Sequence, residues 1–146
     1  MAVVHSHSPT VFPFSVTITP LRPMFHLGAI IGPELPVWDI RDNFQDTIML
    51  VANMDQGRDL AACLGDRRVS LMRGHGCVIA GQTIREVVMA SVYLQVNAGL
   101  LLQSLQLGEV KYLSPGEIEM MSDSQMRLTG QERAWEYWVN RASRSR

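Results

Sequence analysis

Strand and helix signals alternate along this 146-residue chain and place it in the α/β class, as a sheet layered with helices. Three stretches carry that expectation. The first is an apolar, β-branched run at the start, Val3-Val4, leading into His5-Ser6-His7 and closed by Pro9. The second is a hairpin pattern, with Val69–Met72 and residues 77–80 as strands around Arg73-Gly74-His75-Gly76. The third is Thr83-Ile84-Arg85-Glu86, a capping box in which Thr83 is the N-cap and Glu86 stands three residues on.

Between these anchors the chain reads in order. Residues 11–18 are apolar and β-branched, but Pro13 removes a ladder donor, so a short helix from Pro9-Thr10 and an edge strand both fit. Pro20 and Pro23 mark a loop around Leu21 and Arg22. Residues 24–31 predict a short helix stopped by Gly32-Pro33, and residues 36–40 a short buried strand. Residues 46–53 fit a short helix or a loop. A helix is predicted over residues 55–64, with Leu60, Ala61 and Leu64 on one face and Gly65 as its stop.

The helix opened by Thr83 runs to about Leu107 before Gly108. Val87, Ala90, Leu94, Ala98, Leu101 and Leu105 form its apolar stripe, broadened by Tyr93, Val96 and Leu102. Ser114-Pro115-Gly116-Glu117 starts another helix, with Pro115 at its first position. A last helix over residues 133–139 carries Trp135, Tyr137 and Trp138, whose indoles are read as core or subunit contacts. The strands are few for a closed sheet, and the first is apolar enough to want neighbours on both sides. Residues 1–146 are therefore expected to form one partial domain.

Composition narrows the function classes. Hydrophobic residues make up 47% of the chain and the mean hydropathy is +0.04, which fits a globular domain with a sizeable core. The net charge of −1 gives no reason to expect nucleic acid or an anionic membrane as partner. Two cysteines, Cys63 and Cys77, lack metal-knuckle spacing and fit a reducing, cytoplasmic setting. No uninterrupted apolar run approaches the length of a transmembrane helix.

The histidines supply the chemistry. In a strand, His5 and His7 leave on the same face. Their backbones are then roughly 6.6 Å apart, close enough for both imidazoles to reach one cation. His75, 68 residues beyond His7, sits on a glycine-flanked turn whose glycines permit positive φ. Three imidazoles with an open fourth position describe a catalytic metal site; a turn histidine bonded to backbone is the alternative for His75. Cys77 is read as a small buried cysteine rather than a ligand. Asp39, Asp42 and Asp46 are read as solvated, or as a source of one acid for a neighbouring subunit.

The segments Ala2-Val3-Val4-His5-Ser6-His7-Ser8-Pro9 and Leu71-Met72-Arg73-Gly74-His75-Gly76 resemble the two metal-binding motifs of the class II aldolase/adducin family. The capped helix ending in Leu-Gly follows the family's order. The resemblance implies a three-layer α/β/α class II aldolase-like fold around a mixed sheet, missing its N-terminal part. It implies a homotetramer with active sites between subunits, and His5, His7 and His75 as ligands of one divalent cation. Zinc is expected first, with manganese, cobalt or iron as alternatives. The absent front would hold the family's acidic residue and phosphate loops, so the general acid/base stays unnamed.

Leu27 stands where sugar-phosphate aldolases of the family have a proton-donating tyrosine. Leu21-Arg22-Pro23-Met24-Phe25-His26, the Arg-Gly-His-Gly turn and Trp135-Glu136-Tyr137-Trp138 resemble the family's decarboxylase branch, which acts on hydroxylated aromatic or unsaturated carboxylic acids. That resemblance implies a metal-dependent carbon–carbon lyase that decarboxylates a small carboxylic acid through a metal-stabilised enolate. Arg22 or His26 would orient the substrate carboxylate. Retro-aldol cleavage and an inactive remnant or interaction domain are the alternatives.

Overall fold

The protein is described by a computed structural model covering residues 1–125 and 128–144. Its four described strands are β1 (Ala2–Ser6), β2 (Val37–Trp38), β3 (Val69–Met72) and β4 (Gly76–Gly81), in the order β1-β4-β3-β2. β4 is antiparallel to both β1 and β3, and β2 is parallel to β3. The sheet is therefore mixed, and β1, β2 and β3 all end at the same edge.

Alternation divides the strand residues between two faces. Val69, Leu71, Cys77 and Ile79 enter the main core with Val87, Ala90, Leu94, Ala98 and Leu101 of α3 (Ile84–Leu107). Met72 points the other way and clusters with Trp38 and Ile40. That cluster is covered by Phe44 of α1 (Arg41–Phe44) and by Leu60 and Cys63 of α2 (Met54–Leu64). Helices thus pack on both faces, the expected three layers. α3 is long and apolar enough to cross a membrane by length and composition alone, but its apolar stripe lies on the sheet.

Several local expectations are resolved or corrected. Residues 11–18 contribute a 3₁₀ turn, Phe12–Ser15, which accommodates Pro13 in its first turn. His26–Ile31 is also 3₁₀, and stops at Gly32 with φ of 89°. Residues 46–53 hold no regular element, and Asn53 instead caps α2 by accepting the Asp55 and Gln56 N–H groups at 3.1 and 3.0 Å. The inward face of α2 is Gln56, Leu60 and Cys63, spaced i, i+4, i+7, whereas Ala61 is exposed. On α3, Val96 and Leu105 are each 41% exposed, and Met89 and Asn97 take the buried positions instead.

The capping box at Thr83 forms in modified shape. The Glu86 N–H donates to Thr83 Oγ1 at 3.2 Å, while the Glu86 carboxylate accepts the Gln82 N–H at 2.6 Å and pairs with Arg68. Ser114 and Glu117 cap α4 (Pro115–Gln125) reciprocally, at 2.7 and 3.2 Å. In α5 (Leu128–Arg144), Trp138 packs on the core edge-on to Tyr93, and Trp135 lies beneath Arg85. Both indoles are therefore packing groups within the chain.

Asn97 is the polar residue that the apolar stripe of α3 conceals. It is 0% exposed; its Oδ1 accepts the Met24 N–H at 3.0 Å and its Nδ2 donates to the Arg22 carbonyl at 2.9 Å. Gly28 packs so closely on it that an added Cβ would lie 2.5 Å from Oδ1. Asn97→Ala leaves a part-buried N–H and a part-buried carbonyl without their partner, an expected loss of about 2–3 kcal/mol in urea unfolding. A loss under about 0.5 kcal/mol would show that the amide is not what holds residues 22–24.

Candidate metal centre

β1 carries Val3 and His5 on its exposed face, and the chain turns at Pro9-Thr10 directly after His7. The partner across the sheet is the start of β4, with His5 opposite Val78 and Ser6 opposite Cys77. Met72 pairs with Gly76, so the β3–β4 hairpin closes through Arg73, Gly74 and His75, as the glycine pattern indicates. The imidazoles of His5, His7 and His75 meet at this rim. Ring centroids are 4.6, 4.8 and 5.0 Å apart, and one nitrogen from each lies within 4.8 Å of the others. All three predicted ligands are brought together.

Two ligand nitrogens at about 2.1 Å from one tetrahedral ion lie about 3.4 Å apart, so this spacing needs only small ring movements to suit a cation. His5 Nε2 and His7 Nε2 are already 2.9 Å apart. His5 Nδ1 lies 3.1 Å from the Cys77 carbonyl, which accepts its proton and leaves Nε2 as the lone pair. His75 Nδ1 is buried with no hydrogen-bond partner among the described residues, the condition of a nitrogen that a cation completes. Burial lowers the His5 pKa below its ordinary 6.5; His75 and His7 push the same way, and the Cys77 carbonyl opposes them. The neutral, metal-binding form is favoured.

Cys77 is not a fourth ligand. Its side chain enters the main core on the opposite face, and burial pushes its thiol up to about 11. The donor set is all imidazole, the type associated with chemistry rather than structural support.

The turn under His75 is held from two sides. Gly74 adopts φ of 66°, as expected of a glycine there, and its N–H donates to Ser15 Oγ at 3.2 Å. Gly76 is needed for a different reason from the one expected. Its φ is not positive, but a Cβ there would lie 2.4 Å from the Ser6 carbonyl oxygen and 2.9 Å from the His7 ring. On the other side Arg73 Nε pairs with Asp39 at 2.7 Å, and the Arg73 N–H donates to the Trp38 carbonyl at 2.9 Å.

Asp39 is paired with Arg41 and Arg73 rather than free in solvent. Hydrogen bonds from Arg41, and then the charge of the Arg73 guanidinium, hold its carboxyl far below the usual range against the opposing effect of burial. Asp42 and Asp46 are exposed. Arg22 is half-buried, with its guanidinium 4.6 Å over the Tyr112 ring, and Leu27 is half-buried. His26 is exposed beside Phe25 and is not part of the histidine cluster. The residues that sequence reasoning passed over are Ser15, the side chain of Arg73 and the contact role of Gly76, while Asp39 was read as solvated rather than paired. No local pattern announces them, because each acts across a turn of the fold.

Gly76→Ala is expected to push Ser6 and His7 off the hairpin and lower divalent-metal affinity by about tenfold or more, read by metal titration. Unchanged affinity would show that the close approach does not shape the centre.

Residues 1–102 match the family described as Class II Aldolase and Adducin N-terminal domain. The chain is 30% identical over 158 aligned residues to Decarboxylase tropJ of Talaromyces stipitatus, covering 94% of this chain and 59% of that protein. It is 29% identical over 125 residues to the 3,4-dihydroxyphthalate decarboxylase of Arthrobacter keyseri, covering 86% of this chain and 47% of that one. It thus spans roughly half the length of these curated relatives. Among solved structures, an aldolase II superfamily protein from Pseudomonas syringae superposes at TM-score 0.75 with 17% identity, covering 98% of this chain and 56% of that one. An L-fuculose 1-phosphate aldolase superposes at 0.67 with 16% identity, covering 84% and 54%. These likenesses bear on the fold. The family match over residues 1–102, the motifs within it and the three-layer fold establish that this chain belongs to the class II aldolase and adducin N-terminal domain family.

Proposed function

We propose that this chain supplies the metal-binding histidines of a carbon–carbon lyase of decarboxylase type, acting on a hydroxylated aromatic or unsaturated carboxylic acid. The observation that carries the reading is the convergence of three imidazoles at an exposed rim, in a chain whose curated relatives include two decarboxylases. A divalent cation held by His5, His7 and His75 supplies Lewis-acid stabilisation of the negative charge that develops as CO2 departs. Zinc is the first choice, with manganese, cobalt and iron as alternatives.

The chain's own groups have separate tasks. The Cys77 carbonyl fixes the His5 tautomer, so that Nε2 faces the centre as an acceptor. Exposure of His5 and His7 leaves one side of the centre open to a small acid. Arg22 and His26 are assigned to the substrate carboxylate in this proposal. In the reaction the carbon–carboxylate bond breaks, the electron pair stays on the ring or vinylic carbon, and that carbon takes a proton. No side chain of this chain is assigned the proton transfer. Leu27 has no proton to give, which disfavours the retro-aldol alternative. The proposal includes a homotetramer.

The test is metal content and turnover together. Purified protein is expected to hold about one divalent ion per chain and to release CO2 from a hydroxylated aromatic acid. His5→Ala and His75→Ala are expected to lose both. Unchanged metal content in both variants would remove the centre, and aldehyde release from a sugar phosphate without CO2 would replace decarboxylation with retro-aldol chemistry.

pH supplies a second check. With its folded pKa lowered, His5 contributes stability that is present above 6.5 and lost as pH falls through the folded value. Protons compete for the same nitrogen, so bound metal is expected to be released over that acid window and retained at neutral pH. Retention with no change well below that window would contradict imidazole ligation.

A further inference from the structure

We propose that the Asp39–Arg73 ion pair is a positioning element for the metal centre, setting the geometry of His75 and neutralising the cation beside it. This rests on the metal-centre reading. Of the three ligands, His75 is the one placed by a turn between strands. That turn is tied to the sheet by the Arg73 and His75 N–H groups, at 2.9 and 3.0 Å to the Trp38 and Met72 carbonyls. The side chain of Arg73 adds the link to Asp39 at 2.7 Å.

Asp39 is itself fixed, since the Arg41 guanidinium donates to it at 2.8 Å and the Arg41 N–H at 3.0 Å. The pair is largely withdrawn from solvent, with side-chain exposures of 27% for Arg73 and 17% for Asp39. It is less screened than a surface pair.

Position and charge act together. β2 and β3 are parallel, so Asp39 and Arg73 follow neighbouring strand ends at the rim where the histidines meet. Arg73 puts a full positive charge two residues from His75, and an unbalanced cation there would oppose a second one at the centre. Asp39 supplies the opposing charge nearest to Arg73, and Arg41 on its other side is half exposed, so solvent screens its charge more strongly. Removing Asp39 loosens the turn and exposes the repulsion; removing Arg73 loosens the turn and takes the repulsion away. A pair that served stability alone would show no such asymmetry.

The experiment uses cobalt(II) as probe, titrated into the full chain and followed by its visible bands and its affinity. Asp39→Asn is expected to bind cobalt about tenfold or more weakly with shifted bands. Arg73→Gln is expected to lose less, and the double variant to match Arg73→Gln rather than sum the two losses. Circular dichroism identifies the folded variants, and Arg73→Lys, which keeps the charge without the Nε contact, covers the case in which Asp39→Asn does not fold. It is expected to weaken binding and shift the bands. Wild-type affinity and bands in every folded variant would overturn the proposal, as would a melting temperature that falls while cobalt affinity holds. Absence of cobalt binding by the unaltered chain would instead overturn the metal centre itself.

Discussion

The structure depends on one close approach. The Ser6 carbonyl and the His7 ring lie against Gly76 so tightly that a methyl group cannot fit between them. Segments 72 residues apart are joined there, through the hydrogen bond between His5 and the Cys77 carbonyl. That contact seats His7 beyond the strand's last residue, while alternation along β1 exposes His5 and the turn held by Ser15 and Asp39 carries His75 toward both. A side chain at position 76 would separate the histidines before any question of their chemistry arose.

The rest of the fold keeps that contact in register. The sheet's covered face is filled by the stripe of α3, while the face bearing His5 is roofed by α2 only over the β2–β3 side. The histidines therefore sit beyond the roof, at an edge that is supported but open. Asn97, in the middle of α3, trades apolar burial for two backbone hydrogen bonds to residues 22–24. That exchange offsets the desolvation of its amide and fixes the loop that carries Arg22.

Much of this is legible in the chain because it rests on local rules. Alternation in Val3-Val4-His5, the glycines around His75, and Thr83 with Glu86 each act over a few residues, so the strand, the hairpin and the long helix read correctly. The histidine cluster was legible because its three members stand in distinctive settings. What was not legible acts at a distance. Asp39 reads as solvated until the sheet brings Arg73 to it, and Gly76 reads as a flexible turn residue until Ser6 arrives. Cys63 of α2 turns inward, rather than Ala61, because the helix must meet Trp38 and Met72. Pro13 left helix and strand equally open, and the 3₁₀ turn resolves it by tucking Phe14 into the core and Ser15 under the hairpin.

The central claim is that one divalent ion is bound by three imidazoles and nothing softer. X-ray absorption at the edge of the bound metal, recorded on the loaded chain, measures this most directly. The expected first shell has three nitrogens at about 2.0–2.1 Å, with the outer-shell scattering of imidazole rings and lighter oxygen ligands completing it. A sulfur shell at about 2.3 Å, or an all-oxygen shell without imidazole scattering, would contradict the account.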